Sequence, residues 1–487
     1  MKRILQLLLL ALLILVGYIL FNTFTFPSKQ IKVEAVSPSE VPSSATQNLS
    51  QAIQIKTVSN ENIEDIDSAA FYQFRVFIKT AYPLIDSLLE VTYINEFSMI
   101  FKWQGLDTAL KPGILMGHLD VVPVAEENRS SWSAEPFGGE IKDGIIWGRG
   151  AIDDKVSVIG TLEAAELLLQ ERFQPKRTMY FCFGHDEEIG GEFGAVSIVK
   201  HLKNEGVKAE FVIDEGFAIT QGLVPGIDKD VALIGTAEKG FVSLHLSVNM
   251  EGGHSSMPEP ETTLDVLAKA VVKLKENPFP AELVRPVLDF MAHAGPEMPF
   301  IQKMAFANPA LFKSMIISTY EAQPSGNAIV RTTTAPTIIS GGLKENVIPY
   351  QAKAVVNFRI LPGTSIEEVK ARVKEVINDE RITISESAFN SEAPESSSVD
   401  SFGYQLLNKT IKQIFPDVIT TPNLVVGATD SRHYYPLSPN IYRFTPFYLN
   451  EDNITSFHGI NERLPVEEFE DAVRFYVQLL RNGSISR

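Results

Sequence analysis

Cysteine is almost missing from this chain of 487 residues; Cys182 is the only one. No internal disulfide can form, and a zinc site built on thiolates is excluded, so any metal must be held by His, Asp and Glu. Basic clusters are missing too. Asp and Glu outnumber Lys and Arg by 60 to 43, the formal net charge is −17, and no long Lys/Arg run occurs. Phosphate binding needs such a patch, so no nucleic-acid partner is expected. No internal repeat is present either, so the chain does not read as an array of like units.

What is present begins at the N-terminus. Lys2 and Arg3 precede residues 4–21, an apolar run without charge. About 20 such residues suffice to cross a bilayer. The run exceeds the usual signal-peptide core of about 7–15 residues, and no clear small-residue cleavage site follows. An uncleaved anchor is therefore expected rather than a cleaved signal. Lys2 and Arg3 would stay in the cytoplasm and the body would lie outside it, in a periplasm, lumen or cell exterior. Cleavage would instead release a secreted protein. The Ser- and Pro-rich stretch that follows reads as an exposed, flexible tether. Asn-x-Ser/Thr sequons stand at Asn48, Asn128, Asn408, Asn453 and Asn482, and they matter only in a host that glycosylates.

The chain is too long for one ordinary domain. "GILMGHLDVVPV", "TMYFCFG" and "EFVIDEG" each contain a short apolar run expected to be a buried strand. Between the first two, Val156, Ile159, Leu162, Ala165 and Leu169 recur at helical spacing. Strand, helix, strand, helix, strand predicts an α/β fold, with a mostly parallel sheet covered by helices on both faces. The texture changes near Gly235. "GFVSLHLSVNM", a helix over 263–275, "QAKAVVNFRILPG", "SIEEVKARVKEVI" and "RITISESAF" make two strand–helix units, expected to form a small inserted α+β domain. Within it, residues 278–325 are helical in pattern and rich in Met and Phe. The expected organisation is a membrane anchor or signal at 1–22, a tether at 23–48, and a catalytic domain split between 49–236 and 393–487, with a lid domain inserted at 237–392.

Four stretches gather groups that carry chemistry: His118 and Asp120 in "MGHLD", Asp153 and Asp154 in "GRGAIDDK", Asp186, Glu187 and Glu188 in "GHDEEIGG", and Asp214 and Glu215 in "VIDEG". Singly, each is an ordinary strand end or helix start. Three of the four directly follow strand candidates, and strands of a parallel sheet present their carboxyl ends at one edge, where ligands bind. A His and several carboxylates meeting there would suit Zn²⁺, Mn²⁺ or Co²⁺, with acids enough for two ions. Crowded carboxylates otherwise repel one another and are driven to high pKa.

The ordered set "GHLDVVP", "GRGAIDDK", "DEEIGG", "DEG", "GGHSS", "NVIP", "NFRILPG", "GATDSRHY" and "FHGINER" resembles metallopeptidase family 20, the di-zinc group of aminoacylases and carboxypeptidase S. The likeness covers nearly everything after the tether and is nearest the branch of carboxypeptidase S and of enzymes that make or cleave N-fatty-acyl amino acids. It implies that His118 binds one metal and Asp120 orients its ring. Asp153 would bridge two metals across a peptide often cis to Asp154. Glu188 and His458 would hold the second metal. Asp214 or Glu215, with Glu215 favoured, would complete the first. Glu187 would be the general base on a water held between two Zn²⁺, or Co²⁺ or Mn²⁺. His254 would stabilise the oxyanion from the lid or from a partner subunit, and Asn346 and Arg359 would bind the substrate's carboxyl end. Asp430 and Arg432 would lie near the site, His433 is left unassigned, and Cys182 would merely pack. The substrate would be a peptide or an N-acyl amino acid, with a homodimer formed through the lid. An inactive binding homologue would need a lost ligand or base, and every expected one is present.

Overall fold

The computed structural model describes residues 1–34, 36–60, 62 and 65–484; Ala35 of the expected tether lies outside these. The strands Gly113–His118, Met179–Gly184 and Phe211–Asp214 are buried at every position, as strands covered on both faces must be. Gly113–His118 runs between the other two and parallel to both, with His118 opposite Gly184. Ile441–Arg443 lies parallel beside Phe211–Asp214. Four neighbouring strands therefore end at one edge. The helix Lys155–Gln170 packs across one face, beneath the C-terminal helix Val466–Gly483. The helix Ala195–Asn204 covers the other face, where Ile198 and Leu202 meet Cys182 and Val212.

The sheet as a whole is mixed, which corrects the expectation of a mostly parallel one. Beyond the central four, Ser98–Trp103 runs antiparallel to Met179–Gly184, and Glu90–Ile94 antiparallel to Ser98–Trp103. The turn between those two has positive φ at Asn95 and Glu96, and a connection this tight can join only antiparallel neighbours. On the far side Val231–Glu238 is antiparallel to Ile441–Arg443 and parallel to Ile419–Val425.

A second, four-stranded antiparallel sheet follows the order Thr333–Gly341, Gln351–Ile360, Gly240–Asn249, Ile382–Ser391. Alternate residues of Gly240–Asn249 and Gln351–Ile360 point into a core of their own. The helices Thr263–Glu276 and Ile366–Ile377 close it. Each begins with a capping box, Thr262 with Asp265 and Ser365 with Glu368. Thr333–Gly341 was not among the expected strands. It is an edge strand, exposed along most of its length, with a register shift at Pro336, so neither apolar alternation nor an unbroken ladder marks it.

Two expectations for the remaining segments are corrected. The helix Ser43–Gln54 begins inside the stretch expected as tether, and it buries Ala45, Leu49, Ala52 and Ile53 in the main core. Upstream, the Gln30 side chain pairs with both backbone groups of Thr420. The Met- and Phe-rich stretch forms helices Arg285–Ala294, Phe300–Ala307, Pro309–Glu321 and Pro324–Val330. They pack not on the inserted sheet but on the main one, where Val287, Phe290, Met291 and Ile316 meet Val231, Leu233 and Ile419. Lys2–Phe24 is a 23-residue helix containing an 18-residue window of mean hydropathy 2.8, long and apolar enough to cross a membrane.

Candidate metal and active site

Where the central strands end, their successors turn into one cleft. His118 is the last residue of its strand, and its Nε2 lies 3.0 Å from Asp153 Oδ1. Asp153 is joined to Asp154 by a cis peptide immediately before the helix Lys155–Gln170. The other Asp153 oxygen, Oδ2, lies 3.1 Å from His458 Nε2, and the same nitrogen lies 3.2 Å from Glu188 Oε2. One carboxylate thus faces two imidazoles, one through each oxygen. Atoms of His118, Asp153 and Glu188 that could ligate a metal all fall within 4.8 Å of one another.

Asp120 organises this corner without entering it. The His118 ring holds Nδ1 2.9 Å from the Asp120 carbonyl and 3.4 Å from its carboxylate. That carboxylate also accepts the backbone N–H groups of Glu187 and Glu188, each at 3.2 Å. The glycines after the acids are then explained. Gly190 and Gly191 have φ of +114° and +74°, and a Cβ on Gly191 would stand 2.0 Å from Asp430 Oδ1. Only glycine combines that turn with that approach.

The neighbouring groups separate by their contacts. His185 bonds Ser98 through Nδ1 and packs edge-on against Phe71 and Phe97, and burial lowers its pKa to about 4. Asp186 accepts the N–H groups of Phe193 and Gly194 at the start of Ala195–Asn204. Both serve the loop. Asp214 accepts the Ser431 N–H at 3.0 Å. Glu215 is pushed well above the usual carboxylate range by burial and then by Asp153, Asp154, Asp214 and Glu187. Cys182 is fully buried, its thiol pushed up to about 12.

The electrostatics call for positive charge. Burial, and then the like charges of Asp430 and Glu188, push Glu187 well upward; burial also raises Glu188, and Asp154 strongly. The histidines are raised as well, which favours their charged form. His458 is raised to about 10 by its bonds to Asp153 and Glu188, and His118 is raised despite burial by Asp120 and Asp153. Cations among these acids would relieve their repulsion. Glu188 Oε1 and Asp154 Oδ2 are buried with no hydrogen-bond partner. A set of two imidazoles and several carboxylates, with one oxygen left unpaired at the centre, fits borderline divalent ions such as Zn²⁺.

The residues expected on the substrate side divide. Arg359 lies over the Phe241 ring, close enough to Arg432 for their charges to oppose. Arg432 donates to the carbonyls of Thr429 and Gly190, which ties it to the loop carrying the glutamates. Phe389, from the inserted sheet, packs on Phe241 and over Gly190. His254 and Asn346, in contrast, sit together on the exposed ribbon Gly253–His254/Val347–Ile348. The His254 ring bonds its own loop at Ser256. His433 approaches the Gly190 carbonyl at 3.2 Å, and burial lowers its pKa to about 4.

Sequence reasoning missed a buried pair behind the site. Arg149 and Glu462 meet at 2.6 Å, 3% and 0% exposed. Glu462 accepts the N–H groups of Ile152 and Asp153, while Arg149 reaches the Gly459 carbonyl. The pair joins the Asp153 loop to the His458 loop. Its only signal in the sequence was position: Arg149 four residues before Asp153, Glu462 four after His458. Under Asp214, fully buried Arg443 pairs with Glu238 at 3.0 Å.

The profile of peptidase family M20/M25/M40 matches residues 114–482. "Probable carboxypeptidase S-like 2" of Dictyostelium discoideum is 41% identical over 485 residues, covering 96% of this chain and 92% of that protein. The N-fatty-acyl-amino acid synthase/hydrolase of Xenopus tropicalis is 40% identical, covering 98% and 94%. An M20 family metallo-carboxypeptidase from Sulfolobus solfataricus superposes with a TM-score of 0.67 at 16% identity, over 91% of this chain and all of that one.

Proposed function

The chain belongs to peptidase family M20/M25/M40 and is a metallohydrolase, and from that premise we propose that it cleaves an amide bond next to a free α-carboxylate, in a short peptide or an N-acyl amino acid. The observation that carries this reading is the meeting of His118, Glu188 and His458, from three distant stretches, around the two oxygens of Asp153. We assign His118, Asp153 and Glu215 to one divalent ion, and Asp153, Glu188 and His458 to a second. Glu215 is preferred to Asp214 because Asp214 is already engaged by Ser431, while Glu215 feels the charge of Asp153 and Asp154. Zn²⁺ suits this donor set, with Co²⁺ and Mn²⁺ as alternatives. When bound, such ions polarise a scissile carbonyl and acidify water.

The chain's own groups do the rest. Glu187 takes a proton from the attacking water and returns it to the leaving amine. Asp120 keeps the His118 ring in place. Arg359 offers a planar fork to the substrate carboxylate. His254 and Asn346 stabilise the oxyanion and the carboxyl end from a lid that closes or from a second copy, so we take residues 237–392 as lid and dimer surface. Lys2–Phe24 acts as an uncleaved anchor with the catalytic body outside the cytoplasm. Secretion follows if it is cleaved.

A second reading, in which long acyl chains are the preferred substrate and synthesis is the working direction, is favoured by the likeness to the synthase/hydrolase. One assay separates the two: purified full-length protein with a blocked dipeptide and with an N-fatty-acyl amino acid, each with chelator and then with zinc restored. Hydrolysis lost to chelator and recovered with zinc is expected. Activity indifferent to chelator contradicts the proposal, and marked preference for the long acyl chain selects the second reading.

A further inference from the structure

The N-terminal helix does not lead into slack chain. Its last turns are fixed to the body at Asn308, the junction of the helices Phe300–Ala307 and Pro309–Glu321. Asn22 donates to the Asn308 side chain at 2.9 Å, and Asn308 donates to the Ile19 carbonyl at 3.3 Å. Thr23 is buried there, and the Phe24 ring lies 5.9 Å from that of Phe300. Ser28 then bonds Glu297, and Gln30 bonds Thr420.

The depth of this junction follows from helix geometry. Residues 4–21 rise about 27 Å at roughly 1.5 Å per residue, close to the hydrocarbon thickness of a bilayer. Ile19 then lies within the outer boundary of the hydrocarbon, and Asn308 lies beside it. Around Asn308 the surface is apolar: Phe300 is 48% exposed, Ile301 69%, Leu311 50% and Met315 46%. The charge also differs from the rest of the molecule. Residues 298–320 hold two lysines and no acid, in a chain of net charge −17.

We propose that the corner between Phe300–Ala307 and Pro309–Glu321 is seated in the outer leaflet beside the N-terminal helix, an apolar and weakly basic surface whose partner is a lipid bilayer. This rests on Lys2–Phe24 being retained as a span. The protein is then held at two adjacent points, and its orientation over the membrane is fixed.

The test uses the full chain in phosphatidylcholine–phosphatidylglycerol vesicles. A polarity-sensitive fluorophore is placed in turn at Ile301→Cys, Leu311→Cys, Leu9→Cys within the span and Leu343→Cys in the loop after Thr333–Gly341. All four side chains are exposed in the protein, so labelling leaves the packing intact. Brominated lipid is expected to quench most of the emission at 9, 301 and 311, with deeper bromines more effective at 9 and shallow ones at 301 and 311. Position 343 should be unaffected. Quenching at 9 with water-like, unquenched emission at 301 and 311 overturns the proposal and leaves the span. Blue-shifted emission at 301 and 311 that bromine does not quench means that protein covers the corner, which also overturns it. Loss of the label at 9 from the mature chain overturns span and proposal together.

Discussion

Adjacent glutamates at one strand end meet different neighbours. Glu188 reaches His458, while Glu187 faces Asp430 and stays out of that bond. Glu187→Gln should therefore lower kcat by about 10²–10⁴-fold with bound metal unchanged, whereas Glu188→Gln should lose metal together with activity. Elemental analysis beside initial rates separates the two. The same scale exposes the Arg149–Glu462 pair. Arg149→Met leaves a buried carboxylate unpaired behind both ligand loops, so metal affinity should fall by about 10–100-fold and stability by about 3–5 kcal/mol. Competition with a zinc chelator and urea unfolding measure these. The stretches that hold His118, Asp153 and Glu188 were legible at strand ends and at the turn into a helix, but only the resemblance singled out those three residues within them. Asp120, His185 and Asp186 look alike in sequence, and only their hydrogen bonds tell which support the loop.

At the scale of elements, unbroken apolar runs and helical spacing located three of the four central strands and Lys155–Gln170, but not Ile441–Arg443. Ser43–Gln54 was harder to see. Ala45, Leu49, Ala52 and Ile53 do fall on one face, but Ser, Thr and Gln between them resemble a linker. The antiparallel flanks depended on turns whose geometry the sequence shows only faintly. One element carries its own pH signature. At the start of Val466–Gly483, Glu468 accepts the Tyr448 N–H, yet burial raises it from 4.5 to about 7. A raised carboxyl keeps its proton in the folded state after the unfolded chain has released it. Its contribution to stability is thus full below pH 4.5 and falls as pH rises to about 7. Glu468→Gln should remove on the order of 1–2 kcal/mol of that decline, after allowance for solvent screening. Urea midpoints for both proteins below 4.5 and above 7 test it.

Across the whole molecule, two cores meet where Val231–Glu238 passes into Gly240–Asn249. Between them lies buried Lys239, whose Nζ bonds the carbonyls of Ala328 and Arg331. Phe389 crosses from the inserted sheet to Gly190 and Arg359 to the neighbourhood of Arg432, while His254 and Asn346 stay on the exposed ribbon. If a second copy supplies His254, mixing His254→Ala with Glu187→Gln, each inactive alone, should restore a fraction of the activity. No recovery after subunit exchange would assign His254 to closure of its own lid. The sequence marked the inserted layer by its change from unbroken to alternating strands. It did not show that 285–330 would return to the main sheet, because that path depends on which apolar face finds a partner.

The account turns on two divalent ions sharing Asp153. Anomalous diffraction at the zinc edge from zinc-loaded crystals tests this most directly. The expected result is two peaks roughly 3.5–4 Å apart, one beside His118 and Glu215, the other beside Glu188 and His458, with an Asp153 oxygen facing each. A single peak, or peaks away from Asp153, would contradict it.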